Sequence, residues 1–421
     1  MPTPSNIIVG LDLGTTKVSV IIAEISPEGD INIVGLGSVP AKGMRRGVVV
    51  NIEKTVYSIE KAAELAERMS GVQVSAVYTG IAGDHIRSLS SRGVIAVSRR
   101  GANIAENEIK LEDVERVIEA AKAVSLPLDR EVLHVIPQQF IVDDHKGIKD
   151  PIGQAGVRLE ADVHIITGAV TSAQNIYRCV KRAGLTCSDL VLEPLASSYA
   201  VLSESERELG VGMIDLGGGT TDIAIFDDGV IKHTHVLAVG GQLVTRDLAV
   251  GLNIPIESAE ELKINHGLAH RVLIKDDTPI ILPCFGSRPQ SQIALSQLTQ
   301  IVQFRMQEIF EFARDEIIRM MGVNYHQKLP AGLILTGGGS LIPGSDLVAA
   351  DIFGFPVQVR GPRGVTGLTS LVESPIYSTG VGLILYGAKF IEQTDVFRGD
   401  ETKIFEKIFA KMKNWVIEFF S

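Results

Sequence analysis

Gly212-Met213-Ile214-Asp215-Leu216-Gly217-Gly218-Gly219-Thr220-Thr221-Asp222-Ile223 is the stretch that decides the fold, because its pattern has already occurred once, at Ile8-Val9-Gly10-Leu11-Asp12-Leu13-Gly14-Thr15-Thr16-Lys17-Val18. In both, an apolar run rich in β-branched residues reaches an Asp, turns through Gly and Thr, and resumes as an apolar run. That is the signature of a β-hairpin whose turn needs glycine's conformational freedom. Successive backbone N–H groups in such a turn make a concave anion site, and Thr hydroxyls add donors. Asp12 and Asp215 repel phosphate. They are suited instead to a magnesium ion, held through its waters, which neutralises the phosphates.

A third segment has the same character. Leu333-Ile334-Leu335-Thr336-Gly337-Gly338-Gly339-Ser340 reads as a strand entering a glycine turn, followed by a helix from Ser345. Glycines there let a flat ring or a sugar approach the backbone. Two facing phosphate clamps and a third glycine turn predict a nucleotide held in a cleft between two related halves.

In this order the three loops resemble the two phosphate loops and the adenosine loop of the actin, heat-shock-chaperone and sugar-kinase superfamily, over nearly the whole chain. Leu192-Glu193-Pro194-Leu195-Ala196-Ser197-Ser198-Tyr199-Ala200 looks like its first connecting helix, and Ser378-Thr379-Gly380-Val381-Gly382-Leu383-Ile384-Leu385-Tyr386-Gly387 like its second, with small residues permitting close approach at the hinge. Glu260 and Lys263, in Ala259-Glu260-Glu261-Leu262-Lys263, resemble the segment that packs on the purine and ribose in bacterial actins. Within the superfamily, Gly43-Met44-Arg45-Arg46-Gly47-Val48-Val49, Val132-Leu133-His134-Val135-Ile136-Pro137-Gln138 and Leu195-Ala196-Ser197-Ser198-Tyr199 resemble the FtsA family of bacterial cell-division actin homologues.

The resemblance implies an α/β, two-lobed actin-like ATPase fold with an inserted small subdomain and a C-terminal amphipathic helix. The expected limits are 1–83 for the first large lobe, 84–163 for the insertion and 164–203 for the first lobe again. The second lobe follows at 204–226, its outer small subdomain at 227–304, and its continuation at 305–378. Residues 379–391 return to the first lobe, 392–403 form a linker, and 404–421 form the terminal helix. Periodicity alone predicts helices over Val50–Arg68, Glu112–Val124 and Leu295–Met321, and strand-like pieces at Gly93–Ser98 and Gln138–Val142.

The terminal stretch speaks for itself. At 100° per residue, Ile404, Phe405, Ile408, Phe409, Met412, Trp415, Val416, Phe419 and Phe420 fall within an arc of about 160°. Glu406, Lys407, Lys411, Lys413, Asn414 and Glu418 take the other side, where only Ala410 and Ile417 are apolar. The chain's single Trp and four of its 14 Phe residues lie on the one face. A long core helix shows the same pattern, but this segment is terminal and follows a polar stretch. It is read as a helix lying in a membrane interface, not spanning it. One such helix attaches weakly and reversibly, so stable attachment requires several copies acting together.

Composition fits. At 421 residues the chain exceeds one core, and its net charge of −10 argues against broad nucleic-acid binding. Cys179, Cys187 and Cys284 show no metal-ligand spacing, and an odd number argues against a disulfide framework. Met1 to Gly10 lacks the basic start and apolar core of a secretory signal, which predicts a cytoplasmic protein. Arg45-Arg46 and Arg99-Arg100 read as solvated pairs. His233 and His235 alternate along one strand without a third ligand, and His85, His134, His145 and His164 read as structural or exposed.

For chemistry at the cleft, the nucleotide contacts are expected from Asp12, Gly14, Thr15, Thr16, Lys17, Asp215, Gly217, Gly218, Gly219, Thr220, Glu260, Lys263, Gly337, Gly338, Gly339 and Ser340. Glu193 either orients the water that attacks a γ-phosphate or caps the connecting helix; Thr220 or Thr221 is available to help; Lys17 either contacts phosphate or points outward. The resemblance implies ATP and magnesium as ligands and weak turnover at most, with ATP acting on conformation and assembly. It also implies a polymer of the chain itself at the cytoplasmic face of the inner membrane at the division site, peripherally attached. Its outer second-lobe subdomain receives the C-terminal peptide of the tubulin-like FtsZ, and its insertion contacts later division proteins. The competing readings are a pilus-assembly actin homologue, or a phosphotransferase or chaperone of the superfamily. A sugar kinase needs a catalytic Asp and substrate pocket with no convincing candidate here, a chaperone needs a peptide-binding domain, and an MreB-type filament lacks this insertion.

Overall fold

The computed structural model describes residues 6–98, 108–282 and 291–394. The expected linker beyond Thr394 and the proposed membrane residues Ile404, Phe405, Ile408, Phe409, Met412, Trp415, Val416, Phe419 and Phe420 lie outside them, as do Arg99-Arg100 and Cys284.

Each glycine hairpin opens a sheet of the same design. In the first lobe, Ile7–Leu13 pairs antiparallel with Lys17–Ile25, which pairs antiparallel with Ile31–Pro40. On its other side, Ile7–Leu13 runs parallel to Ala76–Ile81, and that strand parallel to Thr186–Leu192. In the second lobe Val211–Leu216, Thr221–Asp227 and Val230–Leu237 form the antiparallel meander, and Leu333–Thr336 and Val357–Val359 add the two parallel strands. A two-residue strand, Thr366–Gly367, returns from the second half of the chain to the edge of the first sheet. Pairing of each hairpin in register places Asp12 opposite Ser19 and Asp215 opposite Asp222.

A four-stranded antiparallel sheet lies between, in the order Arg87–Ala96, Arg158–Ala169, Arg130–Val142, His145–Ile148. Its core is separate: Val114, Val117, Ile118 and Ala121 of the helix Leu111–Lys122 pack on Leu159, Ala161 and Val163. This subdomain also touches the second lobe. The Gln138 side chain donates to the Ile231 carbonyl at 2.8 Å, and the Lys149 ammonium meets Glu208 at 3.0 Å. His164 lies buried with Nε2 3.4 Å from the Thr234 hydroxyl, and burial lowers its pKa to about 4.

Two expected limits are redrawn. The limit at 227 falls inside a meander, because Asp228 at φ 55 and Gly229 at φ 81 turn the chain straight back into the same sheet. The same sheet therefore runs on through Val230–Leu237. The limit at 305 falls inside the helix Leu295–Met321, whose bounds are those expected. The first helix runs Ile52–Ser70, starting two residues later than its periodicity predicts because the Asn51 side chain caps it by accepting from the Lys54 N–H at 3.0 Å.

Close approach of glycine to a carbonyl joins the layers. A β-carbon at Gly37 would lie 1.9 Å from the Ala62 oxygen of the first helix, and one at Gly93 would lie 2.1 Å from the Val117 oxygen of the insertion's helix. At the hinge, the first connecting helix, Glu193–Val201, crosses the second, Ser378–Thr394, where a β-carbon at Gly382 would lie 1.9 Å from the Ala196 oxygen. The small residues read at the hinge thus bring the two helix backbones together. Gly382→Ala should destabilise the protein by about 1–3 kcal/mol through overpacking. Urea unfolding measures this, and an unchanged midpoint would contradict the packing described.

Candidate nucleotide site

The two glycine hairpins face each other across a cavity of about 480 Å³. A β-carbon at Gly218 would lie 2.4 Å from Thr16 Cγ2, and one at Gly219 would lie 2.4 Å from Thr15 Oγ1, so each threonine of one turn occupies the space above a glycine of the other. The second turn is tied back. N–H groups at the start of the helix Gly241–Leu252, from Gly241 and Gln242, donate to the carbonyls of Gly217 and Gly218 at 2.9 and 2.8 Å. Those bonds occupy the turn's carbonyl edge; the Gly217 N–H closes the turn on the Thr220 carbonyl at 3.0 Å, which leaves the N–H groups of Gly218 and Gly219 as the edge suited to an anion. The Thr15 hydroxyl accepts from the Gly47 N–H at 3.1 Å.

The third turn closes the floor. Gly337, at φ 82, passes so near the second lobe's carboxylate that a β-carbon would lie 2.2 Å from Asp215 Oδ1. Gly337, Gly338 and Gly339 line the cavity. Ser340 does not: it is buried, and its hydroxyl donates to the Gly337 carbonyl at 2.6 Å, fastening the turn to itself. On the outer wall Lys263 donates to Glu260 at 2.7 Å and to the Thr245 hydroxyl at 2.9 Å.

Four carboxylates converge here: Asp12, Glu193, Asp215 and Asp222, all buried and all lining the cavity. Lys17 points inward, bonded to Asp12 at 2.5 Å and to the Ser19 hydroxyl at 3.1 Å, with its ammonium 5.2 Å from the centre of the Tyr377 ring. Asp215 accepts from Ser197 of the first connecting helix at 2.6 Å and from Thr379 of the second at 3.3 Å. Burial, reinforced by Asp12, lifts the Asp215 carboxyl to about 6 against the pull of those hydroxyls. Burial and then the charges of Asp12, Asp222 and Asp215 push Glu193 well above the usual carboxylate range. Burial followed by Asp215 and Asp12 does the same to Asp222, whose Oδ1 is buried without a hydrogen-bond partner.

This decides several points the residues alone left open. Glu193 turns into the cavity rather than capping its helix, with room provided by Gly80, where a β-carbon would lie 2.9 Å from Glu193 Cγ. Thr220 lines the cavity, whereas the Thr221 hydroxyl is spent on the Val239 carbonyl at 2.9 Å. Asp222, Ser197, Thr379 and Tyr377 were missed. Hairpin register offered a signal for Asp222, since a turn spanning 217–220 sets it opposite Asp215. His235 meets Glu316 at 3.0 Å, and among the described residues no three of His, Cys, Asp or Glu come close enough to chelate an ion.

The donor set nevertheless fits a hard cation held through water. Its oxygens are carboxylates, one of them lacks any partner, and Lys17 is their one cationic hydrogen-bond partner among the described residues. Anionic phosphates enter such a cavity only with compensating charge.

Comparison with known proteins gives a consistent result. The family model described as "Cell division protein FtsA" matches residues 212–382, and that described as "SHS2 domain inserted in FTSA" matches residues 83–167. The chain is 43% identical over 418 residues to the cell division protein FtsA of Pseudomonas aeruginosa, covering 97% of each chain. It is 41% identical over 417 residues to that of Borreliella burgdorferi, covering 98% of each. Among solved structures, a PilM–PilN type IV pilus biogenesis complex superposes with a TM-score of 0.64 at 16% identity, over 90% of this chain and 98% of that one. MreB5 of Spiroplasma citri bound to ADP gives 0.57 at 14%, over 94% and 100%. A MamK double helical filament gives 0.52 at 12%, over 90% and 98%. These structural likenesses show the actin-like fold.

The Asp215 carboxyl is lifted from the ordinary 3.8 of an unfolded chain to about 6 in the folded one. The folded state therefore holds the extra proton across that window, and its stability falls as pH rises through it. Asp215→Asn, neutral throughout, should stabilise the nucleotide-free protein at pH 7.5 by on the order of 2 kcal/mol, with little effect near pH 4. Urea unfolding at both pH values tests this; an equal change at both would contradict the assignment.

Proposed function

The chain belongs to the FtsA family of cell division proteins, and from that premise we propose that it is an ATP-binding, actin-like scaffold that polymerises at the inner face of the cell membrane and tethers the FtsZ ring there. The observation that carries the proposal is the convergence of three glycine turns from two lobes on one cavity with four buried carboxylates. ADP bound to MreB5 and the MamK filament, both of this fold, support nucleotide binding and self-assembly. The PilM likeness is one of fold alone at 16% identity, so family membership favours cell division over pilus assembly.

In this reading the N–H groups of Gly14 to Thr16 and Gly218 to Thr220 receive the phosphates from opposite sides. Lys17 adds a positive charge on the first side. Gly337 to Gly339 and the Glu260–Lys263 pair border the base and sugar. Asp12, Asp215 and Asp222 hold magnesium through its waters, and the ion supplies the charge that lets phosphates enter a cavity of carboxylates. Glu193, whose carboxyl burial pushes well above the usual carboxylate range, orients a water near the terminal phosphate. Positioning without an additional cationic side chain fits slow turnover, with the nucleotide acting chiefly on lobe closure.

Closure draws the two lobes together at the hinge and favours a polymer of the chain. The outer subdomain between Leu237 and the helix Leu295–Met321 receives the FtsZ C-terminal peptide, and the inserted subdomain contacts later division proteins. The terminal residues 404–421 attach the assembly peripherally at the division site. Among the described residues no helix is long and apolar enough to cross a membrane.

Two variants separate the parts. Asp215→Ala should weaken magnesium-ATP binding at least tenfold by calorimetric titration while leaving vesicle affinity of the nucleotide-free chain unchanged. Trp415→Glu, which puts a charge on the inserted face, should abolish vesicle binding and leave nucleotide affinity intact. Joint loss of both activities in Trp415→Glu would place the tail in the folded core and overturn the tethering role.

A further inference from the structure

Farther along the first connecting helix lies a second cavity, of about 850 Å³. Its floor is apolar: Ile136 from the inserted subdomain, Leu195 from the connecting helix, and Phe226 and Ile231 from the second lobe. Leu209 stands at its edge with 62% of its surface exposed, an apolar side chain without cover. The rim carries the exposed acids Asp150, Glu204, Glu208 and Asp228. The bases there are engaged: Lys149 pairs with Glu208, and the charged groups of Arg207 and Lys389 lie 5.1 and 4.8 Å from the centre of the Tyr199 ring. An apolar floor under a rim of mixed charge suits an amphipathic segment whose polar face carries both signs.

One such segment is tethered beside it. Lys389 lines the cavity and belongs to the helix Ser378–Thr394, so residues 395–421 continue from within two turns of this wall. The connector 395–403 reaches roughly 30 Å when extended. Beyond it come the apolar face centred on Phe409, Met412 and Trp415 and a polar face carrying Lys407, Lys411 and Lys413 with Glu406 and Glu418. A connector this short holds the segment at an effective concentration on the order of millimolar, far above that of a second chain in dilute solution.

We propose that in the unassembled protein residues 404–421 occupy this cavity, apolar face inward and charged face toward the mixed rim, and that membrane attachment requires their release. The inference rests on the reading of this segment as the membrane-attaching one. It adds a link to the nucleotide: the helix Glu193–Val201 lines both cavities, so lobe rotation at one reshapes the other.

Trp415 is the only tryptophan and reports directly. Its emission and acrylamide quenching are measured in the intact, nucleotide-free chain without vesicles, in Leu209→Glu, and in a free peptide of residues 404–421. Affinity for anionic phospholipid vesicles is measured in parallel. The expected result is blue-shifted emission and several-fold slower quenching in the unaltered chain than in the peptide. Leu209→Glu should shift both toward the peptide and raise vesicle affinity roughly tenfold, as expected if about nine-tenths of the tails are docked. Equal, peptide-like accessibility in both chains while both bind vesicles overturns the docking alone. Protection that vanishes on dilution places the tail on a second copy and overturns it too. Absence of vesicle binding in both chains overturns the membrane reading, and the quenching still decides the docking. Leu209 is exposed, and matching thermal melts check that the substitution leaves the fold intact.

Discussion

The Asp215 carboxylate is the joint on which the structure turns. It sits at the end of a second-lobe strand, yet its hydrogen bonds come from Ser197 and Thr379, one on each connecting helix, and those hydroxyls lie 3.0 Å from one another. The backbone of the third glycine turn passes against it at Gly337. One buried charge therefore gathers both lobes, both crossings and the floor of the cavity. Burial makes that charge costly, and the neighbouring Asp12 makes it costlier. In the proposed reading a cation bound here would relieve that cost, tying ligand binding to the two connecting helices that hold Asp215.

The two hairpins are copies in topology but not in chemistry. By register Lys17 and Ser19 of the first correspond to Thr220 and Asp222 of the second. One clamp thus presents an ammonium and a hydroxyl where the other presents a hydroxyl and a carboxylate. Threonines on the first turn meet glycines on the second, so the faces are complementary rather than equivalent. In the proposed reading, unlike walls on a duplicated scaffold would give a phosphate chain and its metal a preferred orientation, which a symmetric cleft could not do.

Much of this was legible in the residues because it is local. Asp-x-Gly turns between apolar runs announce hairpins, and Gly337 to Gly339 after an apolar run announce the third loop. What was not legible depends on convergence. Ser197 and Thr379 are ordinary helix residues until two helices cross at Gly382. Ser340 looks like a ligand contact in a linear motif, but it bonds its own turn. Asp222 required counting register through the turn. The hairpin at Asp228-Gly229, which carries the strand past 227 into the same sheet, is visible only in the pairing of Val230–Leu237. The terminal amphipathic stretch rests on its sequence pattern.

The central claim is that nucleotide held between the lobes drives assembly, and that assembly holds the chain on a membrane. Vesicle co-sedimentation of the intact chain and of one ending at Lys403, each with and without magnesium-ATP, tests it most directly. The account predicts that only the intact chain sediments with vesicles and that magnesium-ATP increases the bound fraction. Equal sedimentation of both chains, or binding indifferent to magnesium-ATP, would contradict it.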